Sequence, residues 1–199
     1  MKKTGVFGGT FSPPHYGHIA AAESFARELS LDTLIIMPAN IPPHKQNTSI
    51  APYSRYEMAK LAFEGMEKAT VSDYEISTPG KSYTANTLTH LHSDDTELYF
   101  LCGTDMFTTL EHWYRPDIIC SLATIVLAKR DTDNDEEIEK ANKTLKSKFS
   151  AKTIVLTHTP KVLSSSLVRD KISNGEDVSS LVPPSVLDYI NQNGLYKKI

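Results

Sequence analysis

Short runs of consecutive apolar residues, such as Leu34-Ile35-Ile36-Met37 and Ile125-Val126-Leu127, recur along this chain between stretches of helical periodicity. A strand with water on one face alternates apolar and polar residues. An uninterrupted apolar run of this length suits a strand covered on both faces, as in a parallel sheet. The strand segments read from the sequence are Thr4–Gly8, Thr33–Pro38, Ala69–Asp73, Glu97–Cys102, Ala123–Ala128 and Thr153–Thr157. Helical spacing of Ile19, Ala22, Phe25 and Leu29 fills the first gap. Ser54-Arg55-Tyr56-Glu57 reads as a capping box ahead of Met58, Leu61 and Ala62. Further helices are expected over Asp133–Phe149, Ser165–Ile172 and Pro184–Asn193, the last with Gly194 as its C-cap. The alternation predicts a doubly wound α/β fold, in which ligands sit beyond the carboxyl ends of the strands. A length of 199 residues, without repeats or a linker, is read as one domain spanning 1–199.

Composition narrows the function classes. The formal net charge of −3 offers no basic field for a nucleic acid polymer, though a nucleotide is compatible. No run approaches the length of a membrane span, and the basic start leads into a strand rather than an apolar signal core, so no membrane and a cytoplasmic setting are expected. Cys102 and Cys120 lie in or beside apolar segments without metal-type spacing and read as buried, reduced thiols. His90 and His92 do not make a convincing metal site, and no carboxylate cluster stands out for a dedicated metal. The acidic stretch Asp131–Glu139 reads as the solvated start of a helix, where acids suit the dipole.

The chemistry concentrates in Gly8-Gly9-Thr10-Phe11-Ser12-Pro13-Pro14-His15-Tyr16-Gly17-His18. These residues follow the first strand and open the first helix. Glycines permit close backbone approach to a ligand, prolines hold the turn extended, and His15 and His18 are spaced to face the same way. A helix start offers free N–H groups and positive dipole, which suits phosphate. The segment is neither G-x-x-x-x-G-K-[ST] nor G-x-G-x-x-G, which argues against kinase and dehydrogenase readings. A second segment, Leu163-Ser164-Ser165-Ser166-Leu167-Val168-Arg169, opens a later helix. Its bland reading is a serine N-cap with a solvated arginine.

Together these segments resemble the (H/T)-x-G-H and I-S-S-T-x-I-R signatures of the nucleotidylyltransferase superfamily. Pro42-Pro43-His44-Lys45, Ser82-Tyr83-Thr84-Ala85-Asn86-Thr87-Leu88, Gly103-Thr104-Asp105 leading to Trp113, and the tail from Val182-Pro183-Pro184 to Gly194-Leu195-Tyr196 extend the likeness to the bacterial nicotinate-nucleotide adenylyltransferases. The resemblance implies a Rossmann-like sheet of the nucleotidylyltransferase type and adenylyl transfer from ATP to nicotinate mononucleotide, with Mg²⁺ carried on ATP. It implies phosphate contacts for His15, His18, Lys45 and Arg169. It implies an ATP site at Gly8, Gly9, Thr10, Phe11, Gly17, Gly103, Asp105, Ser164, Ser165 and Ser166. Thr84, Ala85, Trp113 and Tyr114 would take the acceptor, although a lone tryptophan also serves as a core anchor. Ser12, Thr78 and Asn86 depart from the family's usual residues, the last two near the expected acceptor side. The first motif does not by itself separate this activity from phosphopantetheine adenylyl transfer. The Ser82–Leu88 segment, Trp113 and the Pro183–Tyr196 tail favour the pyridine nucleotide enzyme over that and over cytidylyl transfer. Intact His15, His18 and Arg169 argue against non-catalytic nucleotide binding. Oligomeric state is left open, a homo-oligomer included.

Overall fold

The computed structural model describes residues 1–43, 50–130, 132–157 and 163–197. In chain order the elements are β1 (Lys2–Gly9), α1 (Tyr16–Glu28), β2 (Thr33–Pro38), α2 (Pro52–Phe63), β3 (Ala69–Val71), α3 (Tyr74–Ser77), α4 (Thr84–Leu91), β4 (Thr96–Gly103) and α5 (Thr104–Thr109). A 3₁₀ turn at Leu110–His112 follows, then α6 (Pro116–Leu122), β5 (Ala123–Ala128), α7 (Asp135–Phe149), β6 (Thr153–Val155), α8 (Ser165–Ser173) and α9 (Pro184–Gln192). The strands form one parallel sheet in the order β3-β2-β1-β4-β5-β6. The doubly wound expectation is met, and the topological switch point lies between β1 and β4, where a ligand crevice is expected.

Burial on both faces explains the apolar runs. In β4, Tyr99 and Leu101 join Phe25, Leu34, Ile36, Met58 and Phe63 in the core under α1, α2, α8 and α9. Alternate residues Leu98, Phe100 and Cys102 join Leu88, Phe107, Ile119, Ile125 and Leu145 on the other face. Each large side chain so buried contributes roughly 1.5–3 kcal/mol, and both layers must be present to cover a strand of alternating but uniformly apolar residues. Cys102 and Cys120 are buried free thiols.

Several boundaries shift for local reasons. The Ser54 capping box does not form: α2 starts at Pro52, whose fixed φ suits the first helical position, and Ser54 falls inside the first turn. Helix α7 begins at Asp135, capped by Asn134, whose side chain accepts from the Glu136 amide at 3.0 Å. Asp133 is therefore not part of the helix; its carboxylate accepts from the Thr104 hydroxyl and from the Arg130 amide at 2.8 Å. At the end of α9 the cap is Asn193. Gly194 follows it at φ 59°, and the Leu195 amide closes onto the Ile190 carbonyl at 3.0 Å. The short helices α3, α4, α5 and α6 were not delimited in the sequence, because four to eight residues are too few to establish a helical period. Among the described residues no helix is long and apolar enough to cross a membrane.

Candidate active site

A cavity of about 390 Å³ opens at the carboxyl ends of β1, β2, β4 and β5, at the switch point. One wall carries Gly8, Gly9, Thr10, His15, Gly17 and His18 from the β1–α1 turn, with Gly103 and Asp105 after β4. The opposite end is formed by Ser82, Tyr83, Thr84, Trp113 and Tyr114. The β1–α1 turn and the Ser82–Thr84 segment thus face one hollow.

His15 is the N-cap of α1, 4% exposed, with an extended backbone. Its amide donates to His18 Nδ1 at 3.2 Å, which puts the His18 ring proton on Nε2. The two imidazoles stack with centroids 3.7 Å apart. Burial, reinforced by the nearby Arg130 charge, lowers the His15 pKa to about 4, with its own backbone acting weakly in the other direction. His15 is consequently neutral at pH 7, rather than the positive group that its position in the motif suggests. Gly17 fits closely beside it: a Cβ there would lie 3.0 Å from His15 Nδ1 and 3.2 Å from Leu163, so these neighbours would have to give by a few tenths of an ångström. Gly9 is constrained by packing, since a Cβ would meet the Phe11 ring at 2.9 Å. Gly103 differs, because a Cβ there would find no atom within 4 Å.

Phe11 does not line the cavity. It is 1% exposed at φ 48° and packs edge-on beneath His18, with ring centroids 5.1 Å apart, and against Phe7 and Phe63. Arg169, Ser164, Ser165 and Ser166 are likewise outside the cavity wall. Ser164 is the N-cap of α8, accepting from the Leu167 amide at 3.1 Å. Ser165 donates to the Pro13 carbonyl at 2.9 Å; Arg169 donates to the Ser12 carbonyl at 2.8 Å and to Ser166 at 3.0 Å. The second motif therefore grips the first from behind. Ser12 also shares a hydrogen bond of 3.1 Å with the Tyr196 hydroxyl, and the Ser12–Pro13 peptide is cis. Lys45 and His44 lie outside the described residues.

At the other end, Trp113 packs edge-on to Phe100 and its indole N–H donates to Thr109 at 3.3 Å, so it is both cavity wall and core fringe. Tyr114 is 52% exposed and tilts against Tyr83, centroids 4.5 Å apart. Thr84 lines the cavity whereas the Ala85 side chain is buried in the core beneath α4; the amides of both fall in the helix's first turn, where no intrahelical acceptor exists. Asp105 does not cap α5, which is capped by Gly103; its exposed side chain faces the cavity. Thr78 and Asn86 border a small adjoining hollow rather than the main cavity.

Sequence reasoning missed Arg130, Arg55 and Glu75. Arg130 lines the cavity just beyond β5. Its signal was available: a cation immediately after the carboxyl end of a buried parallel strand falls on the ligand edge of such a sheet. Arg55 and Glu75 gave no signal, since each sits on a short polar stretch that reads as solvated. Among the described residues no three His, Cys, Asp or Glu side chains group as a metal site.

Residues 6–171 match the family described as cytidylyltransferase-like. The chain belongs to this family. Within it, the chain is 39% identical over 199 residues to a "Probable nicotinate-nucleotide adenylyltransferase" of Clostridium botulinum (strain Eklund 17B / Type B), covering all of both chains. It is 37% identical to the protein of the same name from Geobacillus thermodenitrificans (strain NG80-2), covering 98% of this chain and 87% of that one. The solved structure of Plasmodium falciparum nicotinic acid mononucleotide adenylyltransferase complexed with NaAD shares the fold, with TM-score 0.78, 20% identity and 98% of each chain covered. These relatives and the sheet order agree with the family and fold expected from the motifs.

Proposed function

We propose that this chain transfers the adenylyl group of ATP to nicotinate mononucleotide, giving deamido-NAD and diphosphate for NAD biosynthesis, and that residues 1–199 act as one nucleotidylyltransferase domain in the cytoplasm. The observation that carries this reading is a single cavity at the β1/β4 switch point with a histidine pair and glycine turn at one end and Tyr83, Trp113 and Tyr114 at the other. The full-length relatives' names support it.

In this reading an oxygen of the acceptor's 5′-phosphate attacks the α-phosphorus of ATP. A new P–O bond forms, the bond from the α-phosphorus to the bridging oxygen breaks, and diphosphate leaves with that electron pair. The attacking phosphate is already anionic at neutral pH, its second pKa being near ~6, so no protein base has to activate it. Catalysis falls to alignment and neutralisation of growing negative charge. His15, His18 and Arg130 face that charge, and Lys45 joins them on the resemblance alone. Gly8, Gly9, Thr10 and Gly17 bring backbone close, and Asp105 accepts from a ribose hydroxyl. Arg169 and Ser164–Ser166 serve by holding the His15 loop, and Phe11 by supporting His18. Mg²⁺ enters as part of the substrate on the ATP phosphates, retaining waters. The Trp113 ring takes the pyridine ring, and the Thr84 and Ala85 amides take its carboxylate.

Diphosphate release from ATP and Mg²⁺, with nicotinate mononucleotide, nicotinamide mononucleotide and phosphopantetheine assayed in parallel, tests the proposal. Release with nicotinate mononucleotide at least tenfold above the others is expected. Release with another acceptor alone would overturn the assignment of Trp113 and Thr84, and ATP binding without release would leave a nucleotide-binding protein.

A further inference from the structure

The acidic stretch Asp131–Glu139 divides in the structure. Asp135, Glu136 and Glu137 occupy the exposed first turn of α7, where carboxylates suit the helix dipole. Asp133 is half-buried instead, and its carboxylate is engaged. One oxygen, Oδ2, accepts twice: from the Thr104 hydroxyl and, at 2.8 Å, from the Arg130 amide. The Asp133 amide donates back to the Arg130 carbonyl at 3.1 Å, which closes the turn after β5. Hydrogen bonds to an ionised acceptor are roughly twice as strong as neutral ones.

The two donors stand where the sheet stops holding its strands together. The β4–β5 ladder ends with Gly103 opposite Ala128. Beyond it Thr104 opens α5 and Arg130 opens the turn toward α7, so no ladder bond sets their separation. Both residues line the cavity, and Thr104 stands between Gly103 and Asp105 on its wall. Asp133 lies behind that wall and does not line it. Lys129 also pairs with Asp135 at 2.5 Å, but the Asp135 side chain is 79% exposed and a surface pair of this kind contributes little. The Asp133 oxygen is the firmer hold on the turn, and it reaches across to the end of β4.

We infer that Asp133 is a positioning residue for the ATP side of the cavity: by bridging Thr104 and Arg130 it fixes Asp105 and the Arg130 side chain relative to one another. The inference rests on reading that wall as the ATP site. Charge alone would give the opposite effect. A carboxylate near a polyanionic ligand repels it, so on that ground removing Asp133 tightens MgATP binding. Losing the bridge loosens it.

The test is calorimetric MgATP binding, without acceptor, to wild type, Asp133→Asn, Asp133→Ala, Thr104→Val and the Asp133→Ala/Thr104→Val double variant. Asp133→Asn drops the charge and keeps an acceptor oxygen, so affinity within twofold of wild type, or tighter, is expected. Asp133→Ala drops both and should bind MgATP at least fivefold more weakly, with acceptor KM at saturating MgATP within twofold of wild type. The double variant should lose no more affinity than Asp133→Ala, because the Thr104 bond is already gone. MgATP affinity in Asp133→Ala within twofold of wild type or tighter, with a lowered thermal midpoint, would assign Asp133 to the turn's stability alone and overturn the proposal. So would losses that multiply in the double variant, since Thr104 would then act on the ligand by itself. If Asp133→Ala does not fold, Asp133→Ser, whose shorter side chain cannot reach both donors, decides by the same measurement. A wild type that binds MgATP but adenylylates no acceptor defeats the functional reading and leaves the MgATP comparison intact, so the two failures are distinguishable.

Discussion

His15 shows how one side chain's surroundings determine its charge. A histidine at a helix start beside a glycine turn invites a cationic reading, yet burial and the Arg130 charge hold its pKa at about 4. The linkage has a definite sign. Between the unfolded value near 6.5 and about 4, the unfolded chain binds a proton that the folded chain does not. The stability associated with neutral His15 is therefore present above pH 6.5 and is lost as pH falls toward 4. From pH 7 to 4.5, wild type should lose about 2 kcal/mol more unfolding free energy than His15→Gln, by denaturant titration at both pH values. Equal losses would mean that His15 titrates as an ordinary exposed histidine. The His15 and His18 spacing was legible because it depends only on helix geometry; the charge state was not, because desolvation and Arg130 arrive from other parts of the chain.

At the scale of elements, the start of α1 is built by contact with α8 as much as by its own sequence. The Tyr16 amide donates to the Leu181 carbonyl at 3.0 Å, Ser165 and Arg169 hold the Pro13 and Ser12 carbonyls, and Gly17 leaves room for His15 beside Leu163. Ordinarily, glycine to alanine inside a helix stabilises by up to about 1 kcal/mol. At position 17 the added methyl would press on the His15 ring at 3.0 Å. Gly17→Ala should therefore lower turnover at least tenfold while shifting the thermal midpoint by only a few degrees. Turnover near wild type would show that His15 can move without consequence. The serines illustrate what a motif leaves out. The N-cap role of Ser164 follows from local sequence, but the grip of Ser165 on Pro13 and of Arg169 on Ser12 spans more than 150 positions along the chain (152 and 157).

For the whole molecule, the cavity belongs to both layers: its walls come from the β1–α1 turn, the α3–α4 segment and the β4 and β5 ends together. A ligand filling it binds only the folded arrangement. MgATP at 100 times its dissociation constant should therefore add about 2.7 kcal/mol to unfolding free energy, seen as a higher thermal midpoint; no shift at saturating MgATP would place ATP elsewhere. The sequence alone determined the parallel sheet, through apolar runs that need cover on both faces. It also determined the β1–α1 turn, whose glycines, prolines and histidine spacing act within one short segment. Only the tertiary structure decided which motif residues face the cavity and which brace it, why Phe11 is buried support, and why Arg55 and Glu75 are interior. Those outcomes depend on packing, desolvation and hydrogen bonds between segments far apart in the chain, and a linear pattern carries no record of such distances.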